Sequence, residues 1–213
     1  MILNCENMRS FIDFKTNNYQ IAILNRQTPA EAKLFFSELN ITPFSISGYI
    51  SQENSYQEIN KLIEKKIPLK IKKKPFYKKW LKDMSSICKM FCLFQEEDKI
   101  SFWIGSERGC KRFHVDMVPY RCLITYSGQG TELLPDKAAD RNAFVNGKPN
   151  ENIIKNSSAI KYLNRWDVAI FRGGSSGILH RTPASALNHR SSILMRLDYS
   201  NFLELLDRVN SVV

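Results

Sequence analysis

The triplet His114-Val115-Asp116, with His180 sixty-four residues beyond Asp116, constrains this chain more than any other feature. Only three histidines occur, and two of them belong to this constellation. On a β-strand, residues i and i+2 point to the same face, so His114 and Asp116 are expected to address one point together. For His180 to join them, the fold must lay a distant strand alongside the triplet. Two imidazoles and one carboxylate meeting in this way cover one face of an octahedral ion and leave three positions open. That donor set is the one associated with non-haem Fe(II) oxygenases.

The flanking residues extend the pattern. Tyr120-Arg121-Cys122-Leu123-Ile124-Thr125-Tyr126 alternates and is rich in β-formers, which predicts a second strand. Arg165-Trp166-Asp167 reads as a turn into a buried strand, Val168-Ala169-Ile170-Phe171, followed by the glycine-rich run Gly173–Gly177. That run lacks the Gly-Lys-Ser/Thr ending of a phosphate loop, which excludes nucleoside triphosphate binding there. A mobile loop at the mouth of a barrel is the expected role. Ten residues after His180 comes Arg190, then Arg196, an even spacing that puts both arginines on one strand face. Arg121, five residues after Asp116, is also able to point inward. Arg181, next to His180, is expected to face away from the metal.

In this order (H-x-D, a strand carrying an arginine, the strand after Asp167, the distal His180, then Arg190) the chain resembles the 2-oxoglutarate and Fe(II)-dependent dioxygenase superfamily over roughly residues 98–199. More narrowly, His114 to Arg121, Thr125 to Glu132 with Gly128 and Gly130, and Leu179-His180-Arg181-Thr182-Pro183 are similar to a bacterial family catalogued as domain of unknown function 1826. The pair Arg190 and Arg196 is also similar to the paired arginines of AlkB-type nucleic-acid demethylases. The superfamily resemblance implies that His114, Asp116 and His180 hold Fe(II). It implies that Arg190, with Arg196 in reserve, pairs with the far carboxylate of 2-oxoglutarate, a job suited to the always charged, bidentate guanidinium. Thr125 and Tyr126, with Arg121, are the further candidate cosubstrate contacts. The implied reaction is oxidative decarboxylation of 2-oxoglutarate coupled to hydroxylation or demethylation of a substrate not named by the sequence.

Two other readings stay open. The histidines could serve a non-catalytic divalent-metal site, although a closed zinc site wants a fourth Cys or His and neither Cys110 nor Cys122 has the spacing for it. The second uses charge. The chain carries a net +10, concentrated between Lys61 and Lys82, where Glu64 is the lone acid. Lys72, Lys73, Lys74, Lys78 and Lys79, interleaved with Phe76, Tyr77 and Trp80, are a candidate surface for nucleic acid or an acidic partner. Lysine outnumbering arginine there favours a merely solvated face.

The expected fold is a single α+β domain: an α-rich N-terminal layer over 1–97, a double-stranded β-helix (jelly-roll) core over 98–199, and a C-terminal helix over 200–213. Tyr19–Leu24 reads as a strand. Thr28-Pro29-Ala30-Glu31 reads as a capping box opening a helix to Leu39, and 54–66 reads as another helix. Pro75 opens a long one, with Trp80, Met84, Ile87, Cys88, Phe91 and Phe94 at helical spacing, a face that packs against the barrel. The stretch 134–158 reads as loop with two short strands. With 43% hydrophobic residues, no apolar run of membrane-spanning length and five cysteines in no framework spacing, the chain reads as a cytoplasmic globular protein.

Overall fold

The computed structural model describes residues 1–40, 42–187 and 192–205. Its strands are β1 (Ile2–Cys5), β2 (Ile21–Leu24), β3 (Ser45–Ser51), β4 (Lys99–Gly105), β5 (Tyr120–Ser127), β6 (Glu132–Leu134), β7 (Lys161–Tyr162), β8 (Val168–Arg172), β9 (Leu179–Arg181) and β10 (Ile193–Asp198). Its α-helices are α1 (Ile12–Thr16), α2 (Ala32–Leu39), α3 (Ser55–Glu64), α4 (Leu69–Lys72), α5 (Pro75–Gln95), α6 (Arg141–Val145) and α7 (Asn150–Ile153).

Seven strands form one sheet in the order β1-β2-β8-β5-β10-β4-β3, and three form a second in the order β7-β6-β9. Within the large sheet β1 and β2 run parallel and the other neighbours antiparallel. The fold is therefore mixed α+β. Among the described residues no strand pairing joins the two sheets, so the expected jelly roll is not a closed barrel. The 1–97 segment is more than a helical layer, because β1 and β2 extend one edge of the large sheet and β3 forms the other.

Strand alternation gives the large sheet two different faces. Cys122, Ile124 and Tyr126 of β5, with Ile193, Met195 and Leu197 of β10, enter the main core beneath the helices. Arg121, Leu123 and Thr125, with Leu194, Arg196 and Asp198, belong to the opposite face by the same alternation. The helical cover is dominated by α5. Pro75 occupies its first turn, where a missing N–H costs nothing, and the predicted stripe from Trp80 to Phe94 is buried, joined by Phe76 and Tyr77. At its end Glu96 adopts a left-handed conformation (φ 60°), and the Glu97 N–H closes onto the Cys92 carbonyl at 3.1 Å. Trp80, fully buried, meets the rings of Phe35, Phe36 and Tyr126 edge-on, so α2, α5 and β5 share one aromatic cluster.

Two local expectations are corrected. The capping box does not form: α2 starts at Ala32, and the Thr28 hydroxyl reaches instead for the Arg165 carbonyl. The 134–158 stretch holds two short helices rather than strands, the first capped by Asp140, whose carboxylate accepts from Ala143 N–H at 2.9 Å. The predicted C-terminal helix is described only over 202–205, which is helical; 206–213 lie outside the described residues. Among the described residues no helix is long and apolar enough to cross a membrane.

Candidate metal centre

β9 carries His180, and it reaches the triplet through a single antiparallel bridge. His114 N–H donates to the His180 carbonyl at 3.0 Å and His180 N–H to the His114 carbonyl at 2.9 Å. The triplet is therefore not a regular strand: it makes this one bridge and then turns away before β5. A glycine sets that turn. Gly173 N–H donates to the Pro119 carbonyl at 2.9 Å and Gly174 N–H to the Asp116 carbonyl at 2.8 Å. A Cβ at Gly173 would lie 1.8 Å from the Val118 oxygen and 2.7 Å from that of Asp116. The Gly173–Gly177 run, expected to give loop mobility, thus begins by clasping the Asp116 segment against the end of β8.

The donor atoms of His114, Asp116 and His180 all lie within 4.8 Å of one another. The backbone orients both rings. His114 Nδ1 is 3.0 Å from the Arg112 carbonyl, and His180 Nδ1 is 3.0 Å from the Ile178 carbonyl. A carbonyl only accepts, so the proton sits on each Nδ1 and each Nε2 keeps its lone pair. His180 is buried against the Phe171 ring, with centroids 4.5 Å apart, and burial pushes its pKa down to about 4. For His114 burial acts the same way, but the Cys110 sulfur, the Arg112 carbonyl and Asp116 outweigh it and hold the ring above its ordinary value. Cys110 is lowered in turn, chiefly by its hydrogen bond with His114.

Asp116 is buried, with its side chain 1% exposed. Its Oδ1 accepts from Arg121 Nη1, while Arg121 Nε donates to Asp198 Oδ1 at 2.7 Å. Burial alone would lower Arg121, but the two carboxylates prevail and raise it. The other oxygen, Asp116 Oδ2, lies 3.4 Å from His180 Nε2 yet makes no hydrogen bond. A buried carboxylate oxygen without a partner is costly. With both imidazole donors within 4.8 Å, it fits as the third donor for a divalent cation.

Beside the triad is a cavity of about 140 Å³, whose wall includes Trp103, Arg108, Cys110, Leu123, Leu194 and Arg196. Arg121 also faces it, held between the Asp116 and Asp198 carboxylates. Arg196 lies between the Trp103 and Phe202 rings, 5.6 and 5.0 Å from their centroids, with Nε 3.0 Å from Asp198 Oδ2. Arg190 and His189 lie outside the described residues. Thr125 shares the face of Arg121 and Leu123 but is not part of the cavity wall. Tyr126 is a correction. Strand alternation turns it to the helical side, where its hydroxyl donates to Asp83 Oδ2 at 2.9 Å. Arg181 is clasped by both oxygens of Glu132 at 2.8 Å, although it also edges the cavity.

The lysine-rich segment does not make a stacking platform, because Phe76, Tyr77 and Trp80 are buried in the helical core. Lys74 pairs with Glu38 at 2.6 Å, Lys79 with Glu31 at 2.5 Å, and Lys72 donates to the Glu64 carbonyl. Of Lys73 and Lys78 the structure records no ion pair among the described residues. Sequence reasoning overlooked Trp103, Arg108 and Asp198. Asp198 was within reach, two residues after Arg196 and so on the same strand face. Arg108, in an irregular loop, left no periodic signal.

Among solved structures, a full-length Neurospora crassa protein in complex with alpha-KG is similar at 8% identity and a TM-score of 0.37, over 93% of this chain and 83% of that one. No curated protein matches. The model of the family described as "Protein of unknown function (DUF1826)" matches residues 6–198, nearly the whole chain, and to that family the chain belongs.

Proposed function

We propose that this protein is an Fe(II)- and 2-oxoglutarate-dependent oxygenase built on an open double-stranded β-helix. One observation carries the reading: two imidazole Nε2 atoms and an unpartnered, buried carboxylate oxygen converge beside a cavity walled by arginines. His114, Asp116 and His180 would hold Fe(II), whose open coordination positions distinguish such a site from a closed structural one. When bound, the metal with 2-oxoglutarate supplies oxidative decarboxylation coupled to hydroxylation or demethylation of a C–H bond.

The protein's own residues do the rest. The Arg112 and Ile178 carbonyls hold the two rings in the ligating tautomer. Arg121 fixes the Asp116 carboxylate by taking one oxygen and leaving the other for the metal. Among the described arginines, Arg196 would receive the far carboxylate of 2-oxoglutarate; the Trp103 and Phe202 rings against its guanidinium support that reading. Leu123 and Leu194 supply apolar wall that keeps water from the cosubstrate's methylene groups.

A second reading rests on Cys110, which lines the same cavity but stands outside the close donor set and would have to swing inward to close a Zn(II) site as a fourth donor. The two readings separate in one assay. Fe(II)-loaded protein in air should convert 2-oxoglutarate to succinate, slowly without the true substrate. Asp116→Ala should abolish this with the fold retained. Zinc bound with no succinate, and lost in Cys110→Ser, would favour the closed site.

A further inference from the structure

Four arginines edge the cavity, and three of them have acidic partners. Arg121 is shared by Asp116 and Asp198, Arg196 pairs with Asp198, and Arg181 is gripped by Glu132. Arg108 has none among the described residues. Its Nη1 donates to the Gln129 carbonyl at 3.1 Å and its Nη2 to the Thr131 hydroxyl at 3.2 Å, both neutral acceptors. A guanidinium has five N–H donors, so three remain, including Nε, which is buried and makes no hydrogen bond. Tethering the 106–113 loop to the β5–β6 turn needs the two bonds already made. It does not account for a half-buried guanidinium whose Nε is itself buried without an acceptor.

Charge balance indicates what fills it. Four guanidinium groups face three carboxylates, Asp116, Asp198 and Glu132, which leaves one surplus positive charge. Glu107, on the cavity rim, is exposed and forms no ion pair with Arg108. A divalent metal and the doubly charged 2-oxoglutarate cancel each other, so the surplus survives when both are bound. What remains is a site for one singly charged oxyanion, and a carboxylate fits better than a phosphate monoester, which is closer to doubly charged at neutral pH. Burial pushes the Arg108 pKa down to about 10, still high enough to keep it protonated.

We infer that Arg108 anchors a carboxylate on the molecule that is oxidised, so that the substrate class is a small organic acid seated between Arg108 and the metal. This rests on the oxygenase reading above and goes beyond it by naming the substrate's chemistry. Bidentate Arg–carboxylate pairing would both bind the acid and aim it.

The test uses Fe(II)-loaded protein saturated with 2-oxoglutarate under argon, with butyrate and its neutral isostere butyramide as probes in ligand-observed NMR. Butyrate should bind at least tenfold tighter than butyramide. Arg108→Gln should erase that preference and Arg108→Lys restore part of it. Both variants should keep wild-type affinity for Fe(II) and 2-oxoglutarate, which also shows that they fold. Equal butyrate binding in wild type and Arg108→Gln would overturn the inference alone. So would a loss of 2-oxoglutarate rather than butyrate, since Arg108 would then serve the cosubstrate. Failure of the wild type to bind 2-oxoglutarate would overturn the oxygenase reading together with it.

Discussion

Replacing Gly173 by alanine should damage the metal site more than the fold, and the structure sets the scale. The new Cβ would meet the Val118 carbonyl oxygen at 1.8 Å, against a closest approach of 3.0 Å for real Cβ atoms. The obstacle is backbone and cannot rotate away, so the 116–118 segment must retreat by about 1 Å. Overpacking of this kind costs about 1–3 kcal/mol of stability. Metal sites tolerate errors of only about 0.2 Å in ligand distance. Displacing Asp116 should therefore weaken metal binding by about 10–100-fold, the range seen when a ligand loses its orienting support. Gly174→Ala is the control. Its φ of 69° strains an alanine, but no atom lies within 4 Å of the added carbon, so about 1–2 kcal/mol of stability should go with little effect on the metal. The assay pairs chemical denaturation with anaerobic Fe(II) titration of both variants. Wild-type metal affinity in Gly173→Ala would refute the argument that this glycine places Asp116.

Arg121→Met should strand the buried Asp116 and leave Asp198 to Arg196 alone; removing one side of such a pair costs about 3–5 kcal/mol, to be read by denaturant melts, and bound divalent metal should recover part of the loss by replacing the missing charge. Tyr126→Phe should cost about 1–2 kcal/mol by leaving the Asp83 oxygen short of a donor, with Fe(II) and 2-oxoglutarate affinities unchanged; a loss of 2-oxoglutarate binding would place Tyr126 back at the cavity. The metal-free protein should also be acid-sensitive through His180. Its folded pKa, about 4, lies below the ordinary 6.5, so between those values the unfolded chain binds a proton that the folded one refuses. Stability should then fall as pH drops through that window, by up to about 1.4 kcal/mol per unit, and His180→Gln should flatten the slope in melts from pH 7 to 4.

Features with a strong period were legible in the sequence. The α5 stripe from Phe76 to Phe94 follows the helical repeat through five turns, and Pro75 marks its start. Alternation in Tyr120–Tyr126 marked β5, yet periodicity alone could not say which face meets the His-Asp-His triad. Arg121 and Tyr126 both read as candidate cosubstrate contacts in the sequence, although five residues apart on one strand they point to opposite sides. The triad was legible because His-x-Asp and a remote His are rare residue types in a short pattern. The turn that presents it was not, since it depends on Gly173 packing against Val118, a contact fifty-five residues distant. The capping box at Thr28 failed for a similar reason: the hydroxyl is turned to donate to the Arg165 carbonyl, far along the chain, and the helix begins only at Ala32. Arg108 escaped notice because its importance lies in a missing partner, and partners are a property of the folded chain. The aromatic residues among the lysines misled in the opposite direction, since the core claimed them.

The most direct test of the central claim is an anaerobic Fe(II) titration of metal-free protein with and without 2-oxoglutarate, followed by visible absorption. A weak metal-to-ligand charge-transfer band should grow to one equivalent of Fe(II) only when 2-oxoglutarate is present, and should vanish in His180→Ala. Fe(II) binding with no such band at any 2-oxoglutarate concentration, or a band unaffected by His180→Ala, would contradict it.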